Sequence, residues 1–271
     1  MSIFGKITSG IVAVSFIAVS GGALASGSGS ASGGASGPKA HWGYSGKEGP
    51  TNWGNLSTAY ALCSTGHQQS PIDIGHTQQA GLAPIEVSYN AVPLSIVNNG
   101  HTIQVNYSKG STMAIGHAKY NLLQFHFHSP SENIVAGKPY PMEAHFVHAD
   151  DHGTLGVLGV FMKVGKENAA LGEIWNHLPK EVGKVMSLQD VVINGRDLLP
   201  ANMDYFRFVG SLTTPPCSEG VQWHVLQTPI EVSSGQVKAF LDLVGENARP
   251  VQHLGHRLLI DSSNKGGGGS H

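Results

Sequence analysis

The sequence predicts a single β-rich domain around a large, mostly antiparallel sheet with a few short helices at its periphery. Three observations support this. Between residues 38 and 264 the chain is a succession of short runs rich in β-branched and aromatic residues, punctuated by Gly, Asn and Pro. Helical periodicity appears in only two stretches. No internal repeat is visible, and 40% hydrophobic residues in 271 supply a substantial core.

Taken in order, residues 1–25 read as an export signal: Lys6 is the positive n-region, Ile11 to Ser20 the apolar stretch, and Ala23-Leu24-Ala25 a small-x-small cleavage site. That stretch is too short to span a bilayer. The Ser/Gly-rich residues 26–37 can bury almost nothing and read as a flexible linker. Residues 265–271 form a Gly/Ser tail of the kind that precedes a fused tag and are set aside. The net charge of −2 becomes about −3 once Lys6 leaves with the leader, and only 13% of residues are charged, with no basic run. Nucleic-acid binding is thereby excluded. The 15 histidines are scattered, so a metal-buffering His-rich tract is absent.

Strands are expected at Ile85 to Tyr89, Leu94 to Val97, His101 to Tyr107, Tyr120 to His128, Met142 to His148, Leu155 to Val164, Tyr205 to Leu212, Val221 to Gln227 and Arg257 to Ile260. Leu171, Ile174, Trp175 and Leu178 follow helical spacing within Asn168 to Leu178, and Pro179 ends the run. A second helix starts after an N-cap at Ser233 or Ser234, buries Val237, Phe240, Leu241 and Val244, and stops at Gly245.

One stretch carries chemistry. In an extended strand Gln124, His126 and His128 share a face while Phe125 and Phe127 point the other way. Glu143-Ala144-His145-Phe146-Val147-His148 repeats the pattern with a carboxylate and an imidazole on one face. Side by side, the two strands supply three histidines, the ligand formula of a catalytic zinc site with its fourth position open. Cys63 and Cys217 belong to no CxxC, which disfavours redox catalysis and a thiolate metal site. An oxidising compartment would let them pair, and two free thiols are the alternative.

Several motifs together resemble the α-class carbonic anhydrases of the exported bacterial kind. They are His41-Trp42-Gly43-Tyr44, Gln69-Ser70-Pro71-Ile72-Asp73-Ile74, Asn98-Asn99-Gly100-His101, Gln124-Phe125-His126-Phe127-His128, Ser131-Glu132-Asn133, Glu143-Ala144-His145-Phe146-Val147-His148, Gly210-Ser211-Leu212-Thr213-Thr214-Pro215-Pro216 and Asn247-Ala248-Arg249-Pro250. The resemblance covers nearly all of the domain at 38–264. It implies zinc-dependent reversible hydration of carbon dioxide to bicarbonate and a proton. His126, His128 and His145 would be the zinc ligands, with Gln124, Glu143 and Asn247 (through its backbone) fixing their rings. In carbonic anhydrase itself, the source of these figures, zinc lowers the pKa of its water from 15.7 to about 7, roughly 12 kcal/mol in favour of hydroxide.

The same resemblance gives Glu132 and Thr213 the task of orienting the nucleophile and Thr214 a polar contact to bicarbonate. Val147, Val157, Leu212, Val221 and Trp223 would form a dry wall for carbon dioxide. His101 would shuttle the proton, with Tyr44, Asn99 and Gln104 lining the water chain. Imidazole suits that task because its pKa of about 6.5 lies near 7, whereas a carboxylate near 3.9 costs roughly 4 kcal/mol. A Cys63–Cys217 disulfide is implied, as in exported relatives, and so is a periplasmic or secreted location with no membrane contact after leader cleavage. Sulfonamide and anion inhibitors are expected, and a homodimer is compatible. Ser129 and Gln104 depart from the Trp and Asn of many members. The alternatives are a catalytically silent binding module, which typically loses a ligand histidine, and a zinc store, which needs several sites.

Overall fold

The computed structural model describes residues 40–263. The expected leader at 1–25, linker at 26–37 and tail at 265–271 lie outside the described residues. Among these residues the strands are β1 (Asp73–Ile74), β2 (Gln78–Gln79), β3 (Ile85–Ser88), β4 (Val92–Asn98), β5 (Ile103–Asn106), β6 (Thr112–Ile115), β7 (Ala118–His128), β8 (Ile134–Val135), β9 (Met142–Ala149), β10 (Leu155–Val164), β11 (Met186–Ile193), β12 (Tyr205–Ser211), β13 (Glu219–Val232) and β14 (Ile260–Asp261). The helices are short: α1 (Trp53–Leu56), α2 (Leu62–Thr65), α3 (Ala169–Trp175) and α4 (Ser234–Val244).

Twelve strands form one sheet whose main path runs β11-β4-β5-β7-β9-β10-β13-β12-β14-β2, with β6 paired to β7 and β3 to β6. Its pairings are antiparallel except β10–β13 and β14–β2. Side-chain alternation puts a different core on each face. Phe125, Phe127, Phe146, Leu158 and Val160 belong to the larger core. Val147, Val157, Phe161, Trp223 and Val225 pack on the opposite face, with Ile72, Ile74 and Phe208.

Several boundaries differ from the sequence expectation for local reasons. His101 is not in a strand: the Asn99 side-chain oxygen accepts from the backbone N–H groups of His101 and Thr102 at 3.0 and 2.9 Å, making a turn before β5. The strand expected at Arg257 to Ile260 shrinks to Ile260–Asp261, because the Arg257 guanidinium donates to the carbonyls of Leu254, His253 and Val209. β13 runs past Gln227 through Pro229, where its register against β10 shifts between Val160 and Met162. Edge strand β11 was not expected, since half of its side chains are exposed and its register breaks between Leu188 and Val192. Short β6 also lacked a pattern, with only Met113 fully buried.

Helix α3 ends at Trp175 rather than Leu178, because the N–H groups of His177 and Leu178 turn back to the carbonyls three residues earlier. Ser233 caps α4 in a capping box with Gln236, and Phe240 is its fully buried anchor. Val237, Leu243 and Val244 pack beside it on the larger core, and Leu241 is half-buried.

Cys63 and Cys217 form a disulfide with a sequence separation of 154. A loop of that length contributes at most about 5 kcal/mol by chain entropy. Replacing both cysteines by Ser is expected to cost about 2–5 kcal/mol, read as a lowered urea midpoint, with a steeper slope because the unfolded chain is no longer cross-linked. Phe125 is fully buried against Phe146 at 4.9 Å between ring centroids. Phe125→Ala is expected to cost about 3–5 kcal/mol in the same assay.

Candidate active site

Register builds the site. His126 on β7 stands directly opposite His145 on β9, and His145 stands opposite Gly159 on β10. On the other side of β7, Gln104 of β5 pairs with His126. The next rung on one side holds His128 and Glu143. On the other side it holds Gln124, Val147, Val157 and Trp223 in a row across four strands. A ligand rung therefore has a carboxylate on one flank and an apolar row on the other.

The three rings lie 4.6 to 5.4 Å apart between centroids. One nitrogen from each falls within 4.8 Å of the others. The remaining nitrogens decide which atoms these are. His126 Nδ1 bonds to Gln124 Oε1 and His128 Nδ1 to the Asn247 carbonyl, each at 2.9 Å. A carbonyl only accepts, so Nδ1 of His128 carries the proton and Nε2 keeps its lone pair. His145 is turned round: Nε2 approaches Glu143 Oε1 at 3.2 Å, without hydrogen-bond alignment, and Nδ1 points to the centre. Burial holds all three imidazoles below the ordinary histidine value, His128 at about 4, so they are neutral at pH 7.

These residues fit a zinc ion. His128 Nε2 is buried with no hydrogen-bond partner, and the lone pairs converging with it have no protein donor among them. Three neutral nitrogen donors leave the metal's charge undiminished. Behind them, Glu143 Oε2 accepts from the N–H groups of Glu132 and Asn133, and Oε1 from Asn133 Nδ2, all at 2.9 Å. Burial still pushes the Glu143 carboxyl up to about 7. A Cβ on Gly159 would stand 2.9 Å from Glu143 Oε1, so the glycine makes room for that carboxylate.

Glu132 lies beside this centre, with Oε2 3.5 Å from His128 Nε2 and 3.8 Å from His145 Nδ1. Its Oε1 accepts from the Arg249 N–H at 2.8 Å. Burial pushes its carboxyl up to about 8, and hydrogen bonding from the Arg249 backbone and the Thr213 side chain opposes the shift. A cation alongside favours the charged form further. Thr213 is buried just past the end of β12, where the Trp223 indole donates to the Ser211 carbonyl at 3.0 Å. Thr214 is half-buried, its carbonyl engaged by the Cys217 N–H. Val147, Val157, Val221 and Trp223 are buried in one cluster, Leu212 is half-buried against it, and the Trp223 ring meets His145 edge-on at 4.9 Å.

Towards the rim, Asn99 Nδ2 reaches Gln104 Oε1 at 3.5 Å. Tyr44 is held protonated by burial and by the charge of Glu132. His101 is half-buried under Trp42, the two rings stacked at 3.7 Å. His148 and His224 are buried on the far face of the sheet and His253 is exposed. Ser129, a departure from the usual Trp, is buried, donating to the Pro141 carbonyl and accepted at its N–H by Asn247 Oδ1.

Sequence reasoning assigned no role to Arg249, Asn133 or Gly159. Arg249 donates to Gln69, to the Ser70 carbonyl and to the Cys63 carbonyl while its N–H holds Glu132, so it ties the disulfide to the site. The available signals were a glycine inside an otherwise apolar strand and an arginine in a weakly charged chain.

Residues 48–263 match the family model described as eukaryotic-type carbonic anhydrase. The chain belongs to the α-carbonic anhydrase family. A carbonic anhydrase of Neisseria gonorrhoeae is 48% identical over 229 residues, 84% of this chain and 90% of that protein. The α-carbonic anhydrase of Thermovibrio ammonificans, solved in complex with the inhibitor sulfanilamide, superposes with a TM-score of 0.79 at 48% identity, covering 82% of this chain and 100% of that one. Dioscorin DB3L of Dioscorea polystachya is also similar, at 33% identity over 225 residues, 78% of this chain and 82% of that protein. The α-carbonic anhydrase reaction is the reversible hydration of carbon dioxide, and zinc is its cofactor.

Gln124→Ala leaves His126 Nδ1 without its acceptor, and Gly159→Ala crowds Glu143. Each is expected to weaken zinc binding about 10- to 100-fold, measured by chelator competition on the folded protein.

Proposed function

We propose that His126, His128 and His145 hold the zinc ion of a carbonic anhydrase and that the groups around them divide the rest of the catalytic work. The observation that carries this reading is the convergence of three neutral imidazoles, His128 and His145 buried and His126 half-buried, beside an apolar row. Zinc supplies the Lewis acid that makes water a nucleophile near neutral pH. Gln124, Glu143 and the Asn247 carbonyl fix the rings so that their lone pairs stay aimed at one point.

Carbon dioxide has no permanent dipole, so polar groups cannot hold it. Val147, Val157, Val221, Leu212 and Trp223 give it a dry surface one rung from the ligands. Thr213 donates its hydroxyl proton to Glu132 and accepts from the attacking water, turning that water's lone pair towards the substrate carbon. Glu132 can act this way because a cation alongside and the Arg249 N–H offset the burial that raises its carboxyl, keeping it a charged acceptor. Thr214 offers a polar contact to bicarbonate. His101 takes the released proton at the rim, reached through water lined by Tyr44, Asn99 and Gln104. A sulfonamide or small anion would compete at the same centre, as supported by the sulfanilamide complex of the Thermovibrio ammonificans relative.

The silent-module alternative has no observation in its favour, since all three ligand histidines are present. We extend the proposal to export: a leader at 1–25 removed before Ser26, a linker at 26–37, the catalytic domain at 38–264 and a tail at 265–271. The disulfide supports an oxidising compartment. An N-terminal sequence beginning at Ser26 in the exported protein is expected, and an intact leader there contradicts it. Light scattering of that sample tests the homodimer, which requires twice the chain mass.

Hydration kinetics test the residue roles. In a dilute, poorly transferring buffer, His101→Ala is expected to lower kcat about tenfold or more, leave kcat/KM unchanged and recover with added imidazole. Thr213→Ala should lower kcat and kcat/KM together by about a hundredfold. An unchanged kcat in the first variant removes His101 from the mechanism.

A further inference from the structure

Proton release needs a path beyond the first acceptor, and the rim of this chain holds a second imidazole. The His41 ring lies 6.5 Å from the His101 ring between centroids, tilted by 46°. A separation of that size is within the reach of a single water hydrogen-bonded to both rings. On its outer side, His41 Nδ1 approaches Glu48 Oε2 at 3.1 Å. The His41 and Glu48 side chains are 75% and 53% exposed, so this pair faces bulk solvent while His101 is half-buried.

The arrangement is built. The Gly43 N–H donates to the Glu48 carbonyl at 2.9 Å, closing the segment between the two residues into a loop. The buried Trp53 indole N–H sits between both ends of that loop, 2.9 Å from the Gly43 carbonyl and 3.0 Å from the Glu48 carbonyl. Trp53 also meets Trp42 edge-on at 5.2 Å, and Trp42 stacks on His101 at 3.7 Å and 7°. One buried tryptophan thus fixes the His41–Glu48 loop and the plate on which His101 rests.

We propose that His41, backed by Glu48, is a second proton relay that takes the proton from His101 and passes it to bulk buffer. The His101 imidazolium, protonated at both ring nitrogens, gives one of these protons through a bridging water to His41 Nε2 and returns to its neutral form. The His41 imidazolium donates its Nδ1 proton to the Glu48 carboxylate as a charge-assisted hydrogen bond, and the Nε2 proton leaves to buffer. Burial, and after it the charge of His41, holds His101 below the ordinary histidine value, which favours outward transfer. In the dehydration direction the same steps run inward.

This inference rests on His101 being the first acceptor, and the experiment separates the two readings. Hydration by the zinc-loaded full chain is measured in dilute and in imidazole-rich buffer for the parent, His41→Ala, Glu48→Gln and His101→Ala. We expect His41→Ala to lower kcat about threefold in dilute buffer, a small part of what a positioned proton-transfer group contributes, with kcat/KM unchanged and imidazole restoring the rate. Glu48→Gln should give a smaller loss of the same kind. In an NMR titration of the same proteins, the His101 ring should titrate at higher pH in His41→Ala than in the parent, a readout independent of turnover. Parent kcat in His41→Ala beside a deficient His101→Ala overturns the relay and leaves the shuttle standing. A full rate in His101→Ala overturns both. A parallel fall of kcat and kcat/KM in His41→Ala makes its role structural and also overturns the relay.

Discussion

The pairing of His126 with His145 across β7 and β9 is the constraint on which the rest of the site depends. Because side chains alternate in a strand, a slip of one residue would carry His126 and His128 to the face now held by Phe125 and Phe127. The rings of Phe125 and Phe146, stacked on the larger core, oppose such a slip. Hydrophobic packing on one face thereby fixes ligand geometry on the other. The same register brings Glu143 beside His128 and sets Val147, Val157 and Trp223 in a row one rung away.

Burying that geometry has a cost. His128 Nε2 and Glu132 Oε2 are buried without hydrogen-bond partners, each a penalty of roughly 1–3 kcal/mol. A cation among these groups relieves the penalty, so metal binding and stability are linked. The surroundings are polar only where a ring or a carboxylate needs an acceptor or donor, as with Gln124, Asn133 and Asn247. Elsewhere the wall is apolar, which suits a substrate without a dipole. Arg249 connects this centre to the Cys63–Cys217 disulfide through the Cys63 carbonyl, so the clamp near the N-terminus supports the acceptor of Thr213.

Much of this was legible in the sequence because it is local. Strand alternation alone placed Gln124, His126 and His128 on one face, and the start of α4 could be narrowed to a cap at Ser233 or Ser234 and its stop read at Gly245. What was not legible depends on contacts distant in the chain. The end of β14 is set by the guanidinium of Arg257 reaching Val209, and His101 leaves its expected strand because Asn99 captures its N–H. Edge strand β11 exposes half of its side chains and fully buries only Ile193, so its sequence carries little apolar alternation to read. The role of Gly159 appears only once Glu143 is seen against it, across a strand pair that sequence spacing does not reveal.

The central claim is that three neutral imidazoles hold one zinc ion that makes the chain a carbon dioxide hydratase. The most direct measurement is a zinc titration of the metal-stripped protein, with hydration followed by stopped flow on the same samples and His128→Ala alongside. The account predicts activity that rises linearly and breaks at one zinc per chain, with little binding and no hydration in the variant. A fully zinc-loaded wild type that hydrates carbon dioxide no faster than His128→Ala would contradict it.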